Sequence, residues 1–118
     1  MLKWPDRKEV EDSPKKWIPK AIQNHSNVLK FGYFGSYARG DWGVGSDLDL
    51  VVRFIDTDEP FETRSLNWDL NDLPVQTELV MYTSDEWDSL KAKGGRFVLT
   101  LEQETVWLYD RDSQFGQR

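Results

Sequence analysis

Apolar residues along the chain fall into short runs separated by polar punctuation, and their spacing predicts both helices and strands. Asp6 to Asn24 reads as helical, with Asp6 suited to the N-cap. Pro14 and Pro19 are expected to break or kink this stretch, leaving a short helix and a second one that carries Trp17, Ile18 and Ile22. Val28 to Phe34 is an apolar, aromatic run that stops at a Gly-Ser pair, as a buried strand does. Leu48 to Ile55 predicts a second strand, and Val75 to Tyr82 a third. Between them, Asp58, Glu59 and Pro60 open a short helix over Phe61 to Leu70. Thr83-Ser84-Asp85-Glu86 is an N-terminal helix signal, Gly94-Gly95 a stop, and Arg96 to Thr105 a further helix. Val106 to Tyr109 closes the order with a short strand. Helices interleaved with few strands predict an α/β or α+β fold, a small mixed β-sheet flanked by helices. No repeat, low-complexity tract or linker interrupts the chain. One domain is therefore expected over residues 1–118, with a polar tail from Asp112 to Arg118 that frays.

Composition narrows the chemistry by exclusion. At 118 residues the chain can bury roughly two-thirds of its unfolded surface, enough for one core. Aromatic residues make up 14%, far too much core material for a disordered segment. No run approaches the roughly 18 apolar residues of a membrane span, and Met1 to Asp12 has no apolar signal region. Zero cysteines exclude disulfides, thiolate zinc sites and cysteine nucleophiles, and make the cytoplasm the expected compartment. His25 stands alone, so a histidine-rich metal site is excluded as well. The formal net charge of -6 argues against direct nucleic-acid binding over a broad surface. Chemistry must rest on carboxylates, hydroxyls and backbone groups.

The most informative stretch runs from Phe34 to Val52. Asp47 and Asp49 stand two apart at a strand, so they share a face, with Cα atoms roughly 6.5–7 Å apart. Both carboxylates can then converge on one cation while Leu48 and Leu50 point into the core. Two aspartates on one face repel each other unless a cation lies between them, and so break a local rule inside an apolar strand. Taken alone, a D-x-D pair is more often a polar strand start facing water. The preceding turn changes that balance. Gly35 lets the backbone approach a ligand closely, Ser36 adds a hydroxyl donor, and Arg39 can bring a guanidinium to the same spot. Alone, Gly-Ser is a turn, and Arg39 a partner for Asp41 or Asp47. A phosphate cradle joined to a dicarboxylate face specifies a metal-bound nucleoside triphosphate.

Gly35-Ser36-Tyr37-Ala38-Arg39-Gly40, followed by Ser46-Asp47-Leu48-Asp49-Leu50, resembles the signature of the minimal nucleotidyltransferases of the polymerase-β-like superfamily. The likeness is strong over Val28 to Val52 and elsewhere rests on the order of elements. It implies the polymerase-β-like nucleotidyltransferase fold, with Asp47 and Asp49 as magnesium ligands and Gly35, Ser36, Arg39 and Ser46 as nucleotide-binding residues. Mg²⁺, or Mn²⁺, and ATP as donor are implied with them. The family usually adds a third carboxylate, an aspartate, on a neighbouring strand. Here the matching position is Glu78, a departure, which would serve as a further metal ligand and catalytic residue. A glutamate facing solvent on an edge strand is the other reading of it.

The remaining conspicuous residues carry blander expectations. His25 is expected in a structural or exposed role, and Trp42 either stacks on a base, touches a partner or anchors its loop. Trp68, Trp87 and Trp107 are expected mostly in the core, while Glu102 and Glu104 belong on a solvated helix face. Stand-alone members of the resembled family are antitoxins that transfer AMP to a tyrosine of a HEPN-domain ribonuclease toxin. That implies a protein acceptor, a hetero-oligomer and no membrane. Two alternatives stay open: an antitoxin that neutralises by binding alone, and a homodimeric enzyme acting on an aminoglycoside-like small molecule.

Overall fold

The computed structural model describes residues 5–41, 43 and 45–111. Trp42 and the polar tail from Asp112 therefore lie outside the described residues. Helix α1 spans Arg7–Asn24 without a break. Asp6 caps it as expected, its side chain accepting from the Glu9 N–H at 2.8 Å. The expected division at Pro14 and Pro19 is not seen, and the surroundings of Pro14 show why. Proline has no N–H to give the Val10 carbonyl four residues back. The Ser13 hydroxyl donates to that carbonyl instead, at 2.7 Å. Pro14 is itself buried, on one stripe with Val10, Trp17, Ile18 and Ala21. Burying several such side chains, each contributing about 1.5–3 kcal/mol, outweighs the roughly 3 kcal/mol that an interior proline costs.

Four strands follow: β1 (Val28–Phe34), β2 (Leu48–Phe54), β3 (Thr77–Thr83) and β4 (Val106–Asp110). They form a single mixed sheet in the order β3-β2-β1-β4. β1 runs antiparallel to both β2 and β4, whereas β2 and β3 are parallel. A parallel pair needs a crossover, and residues 55–76 supply it. The helix expected over Phe61 to Leu70 is a tight 3-10 turn, Phe61–Asn67. Its packing comes from one cation rather than an apolar stripe. Arg64 is only 4% exposed, and its two terminal nitrogens donate to the Glu86 carboxylate at 2.7 and 2.9 Å. Glu86 also completes the predicted cap of helix α3 (Ser84–Ala92), a reciprocal box with Thr83. Helix α4 (Arg96–Glu104) follows the glycine pair.

Alternation along β2 sorts the two layers. Leu48, Leu50, Val52 and Phe54 join Val10, Trp17, Ile18 and Phe31 in the larger core beneath α1. Val51 points the other way, into a smaller core with Phe34, Trp87, Val98 and Leu101 under α3 and α4. Trp68 and Trp87 are buried, as expected of them, and Trp107 packs at the edge of the smaller core. His25 stacks on Trp68 with ring centroids 4.1 Å apart, on the α1 side, which is a structural role. Among the described residues no helix is long and apolar enough to cross a membrane.

Candidate active site

Asp49 occupies the α3/α4 face of β2, at the end of the sheet where β1 gives way to a one-turn helix, α2 (Ser36–Arg39). Register builds the site from here. Phe34 pairs with Asp49 across the antiparallel β1–β2 ladder. Ser36 begins α2 and Asp47 directly precedes β2, so both lie just beyond this pair. On the other side, Tyr33 pairs with Val106 across β1–β4. Glu104, the last residue of α4 and two positions before β4, comes within hydrogen-bond reach of the Gly35 N–H. Tyr37 is fully buried and seats α2 in the core. Gly40, in the left-handed conformation, ends it.

A cleft of about 390 Å³ opens between these elements, lined by Phe34, Gly35, Ser36, Arg39, Asp47, Asp49, Phe97, Thr100 and Glu104. Five residues singled out in the sequence, Gly35, Ser36, Arg39, Asp47 and Asp49, thus come together. Ser46 stands aside from that lining: its Oγ accepts from the Gly43 N–H at 2.8 Å and shapes the loop leading to Asp47. Glu78 pairs with Asp49 in the parallel β2–β3 register, so the two share a face. Its side chain is exposed beside the cleft rather than within the lining.

Glu104 corrects its expected place on a solvated helix face. Its side chain is 15% exposed and pairs with Arg39 Nη1 at 2.9 Å. The Gly35 N–H donates to its other oxygen at 3.2 Å. Arg39 also pairs with Asp41, at 3.1 Å, one of the two partners foreseen for it. The signal for Glu104 lay in helical spacing: Phe97, Thr100 and Glu104 share one face of α4, and that face walls the cleft. Glu102 is exposed as expected, though it accepts from Trp87 Nε1 at 3.0 Å.

Burial, followed by the charges of Glu78 and Asp47, pushes the Asp49 carboxyl from 3.8 up to about 6, against the opposing pull of Arg39. The charge crowding that the D-x-D pair predicts is therefore present at Asp49. The sign for stability follows. With a folded value above the unfolded one, Asp49 favours the fold when protonated and opposes it once pH rises through about 6. Asp49→Asn should therefore raise the thermal midpoint at pH 8. The gain should shrink through pH 6 and vanish near pH 4. Full conversion of the shift gives about 3 kcal/mol, which screening of a part-exposed group reduces to about 1–2 kcal/mol. Thermal unfolding of both proteins at the three pH values measures it; an equal gain at pH 4 would contradict the account of a buried, crowded carboxylate.

A divalent cation fits this donor set. Among the described residues no group of three or more His, Cys, Asp or Glu side chains is placed to hold a metal ion. Magnesium, however, is usually held by one or two carboxylates together with substrate phosphates, not by a complete protein cage. Asp47 and Asp49 are two hard oxygen donors whose mutual repulsion a cation relieves.

A four-stranded mixed sheet that carries a Gly-Ser turn and two aspartates, one just before β2 and one on it, to one cleft defines the nucleotidyltransferases of polymerase-β-like fold. The family model for the nucleotidyltransferase domain matches residues 15–107, and the chain belongs to that family. Among solved structures, a protein from Sulfolobus solfataricus assigned as a nucleotidyltransferase is 18% identical, with a TM-score of 0.63 over 90% of this chain and 85% of that one. A toxin-antitoxin crystallised with AMP-PNP is 20% identical, with a TM-score of 0.58 over 86% of this chain and 77% of its own. A mutant of the toxin-antitoxin MntA-HpeT is 17% identical, with a TM-score of 0.55 over 86% and 77%. At these identities the likeness establishes the fold. No curated protein matches the sequence at a significant level.

Proposed function

We propose that this chain, acting as a single domain in the cytoplasm, transfers AMP from ATP to a hydroxyl of a partner protein. The acceptor best supported is a tyrosine of a HEPN-type toxin, which makes the chain an antitoxin. The observation that carries the reading is the convergence of Gly35, Ser36 and Arg39 with Asp47 and Asp49 on one cleft. The acceptor oxygen attacks the α-phosphorus and forms a new P–O bond. The bond to the bridging oxygen breaks, and pyrophosphate leaves. The Gly35 N–H, the Ser36 hydroxyl and the Arg39 guanidinium face the departing phosphates, where negative charge develops. Glu78, whose charge is felt at Asp49, is the candidate to take the acceptor's proton or to hold metal. Mg²⁺ or Mn²⁺ on Asp47 and Asp49 would neutralise phosphate charge and activate the phosphorus as a Lewis acid. The partner class draws support from the toxin-antitoxin structures that share the fold. Neutralisation by binding alone draws on a different observation, the exposed position of Glu78 outside the cleft lining.

Calorimetry of ATP binding tests the site. Affinity is expected to be weak in chelator and strong with Mg²⁺, and the magnesium gain should fall as pH drops through about 6, where Asp49 takes up a proton. Asp49→Asn should lose most of that gain. Metal-independent binding of equal strength in both proteins would show that the carboxylates do not form the site. Mass spectrometry of a co-purified partner, seeking a nucleotide monophosphate on tyrosine, tests the acceptor.

A further inference from the structure

The donors suited to a nucleotide's phosphates already hold an anion of the chain's own. Glu104 takes the Gly35 N–H with one carboxylate oxygen, at 3.2 Å, and Arg39 Nη1 with the other, at 2.9 Å. It reaches these groups across 69 and 65 positions of sequence. A carboxylate with each oxygen on one donor presents negative charge through paired acceptor oxygens, as a phosphate group would. Arg39 does not need Glu104 for charge balance, since Asp41 pairs with its Nε at 3.1 Å. Glu104 also adds a negative charge to a cleft that Asp47 and Asp49 already line. A fold that crowds a further carboxylate there works against its own electrostatics, a conflict that marks function rather than packing.

We infer that Glu104 is an internal stand-in for the triphosphate tail: it holds the phosphate donors in the nucleotide-free protein, gives way to a nucleotide whose tail reaches Gly35 and Arg39, and returns as pyrophosphate leaves. The inference rests on the nucleotide-binding reading of the cleft. The exchange is anion for anion, so the part-buried Gly35 N–H is never left unsatisfied. It also makes Glu104 a selectivity residue. A nucleoside triphosphate, or inorganic tripolyphosphate, competes with it for the donors. A nucleoside monophosphate lacks the tail, does not reach them, and is indifferent to Glu104.

Calorimetry with Mg²⁺ and ATP, tripolyphosphate or AMP, on wild type, Glu104→Ala, Glu104→Gln and Asp49→Asn, tests this. Glu104→Ala should bind ATP and tripolyphosphate about tenfold more tightly, as for the loss of one competing charge-assisted bond. Glu104→Gln, which keeps the shape and one acceptor oxygen but loses the charge and the second acceptor, should give a smaller gain in the same direction, and decides the matter if the alanine variant folds poorly. AMP affinity should stay within about twofold. The Gly35 amide resonance should shift when ATP is added to wild type, as it exchanges one oxygen acceptor for another. Binding that needs Asp49 but is unchanged or weaker without Glu104 would overturn the inference and leave Glu104 as a prop for Arg39. Binding absent from every variant, or indifferent to Asp49→Asn, would instead overturn the nucleotide reading and take this inference with it.

Discussion

Asp47→Asn combined with Asp49→Asn is expected to abolish transfer of label from α-labelled ATP while the fold remains intact. Asparagine keeps the shape of aspartate, so packing is undisturbed. Leu48 and Leu50, fully buried on the opposite face, hold β2 in place whatever occupies the cleft side. Removing the two charges also removes the burial and crowding penalties that raise the Asp49 pKa, so stability at neutral pH should rise rather than fall. What is lost is the negative charge that a divalent cation requires, and with it charge stabilisation in the transition state. A loss of at least about 10³-fold is expected, the scale for removing a principal electrostatic group from such a site. Label transfer to the partner and a thermal midpoint, measured on the same preparation, separate chemistry from folding. Activity retained in the double variant would sink the assignment.

Gly35→Ala should be nearly as damaging, for a steric reason. Gly35 has φ 77° and ψ -152°, a conformation essentially confined to glycine. A Cβ there would lie 2.2 Å from Asp49 Oδ2 and 3.1 Å from its Cγ. Alanine therefore strains the backbone by about 1–3 kcal/mol and drives the Asp49 carboxylate out of its place in the cleft. Misplacing a reacting group by about an ångström costs on the order of 10²-fold in rate, so transfer should fall at least that far. Gly40→Ala is the matched control. Gly40 also has a positive φ, 85°, yet its Cβ would meet only the Arg7 guanidinium, at 3.6 Å. It should cost about 1 kcal/mol of stability and leave transfer near wild type. Equal activity losses in the two variants would mean that strain, not the clash with Asp49, decides the outcome.

Rules that act over a few residues made much of the fold legible. β1 runs from Val28 to Phe34 as its apolar run predicts, and Thr83 and Glu86 form the reciprocal cap that their spacing announces. Phase alone placed Asp49 opposite in facing to Leu48 and Leu50. The same local rules misjudged α1, because the partner that rescues Pro14 is a serine hydroxyl and the compensation is burial against a sheet. They placed a short helix at Phe61 but not its 3-10 form or its end at Asn67, since Arg64 is held by Glu86, 22 positions away in the chain.

By itself, then, the sequence determined the elements, the facing of their side chains and the pairing of a Gly-Ser turn with a D-x-D strand. Each of these depends on backbone periodicity and capping within a few residues. Only the tertiary structure decided which distant carboxylates meet that turn. Parallel register puts Glu78 beside Asp49, and the packing of α4 brings Glu104 to the Gly35 N–H. Strand order and register are settled by burying both faces of the sheet at once, a collective balance that no single stretch of sequence carries.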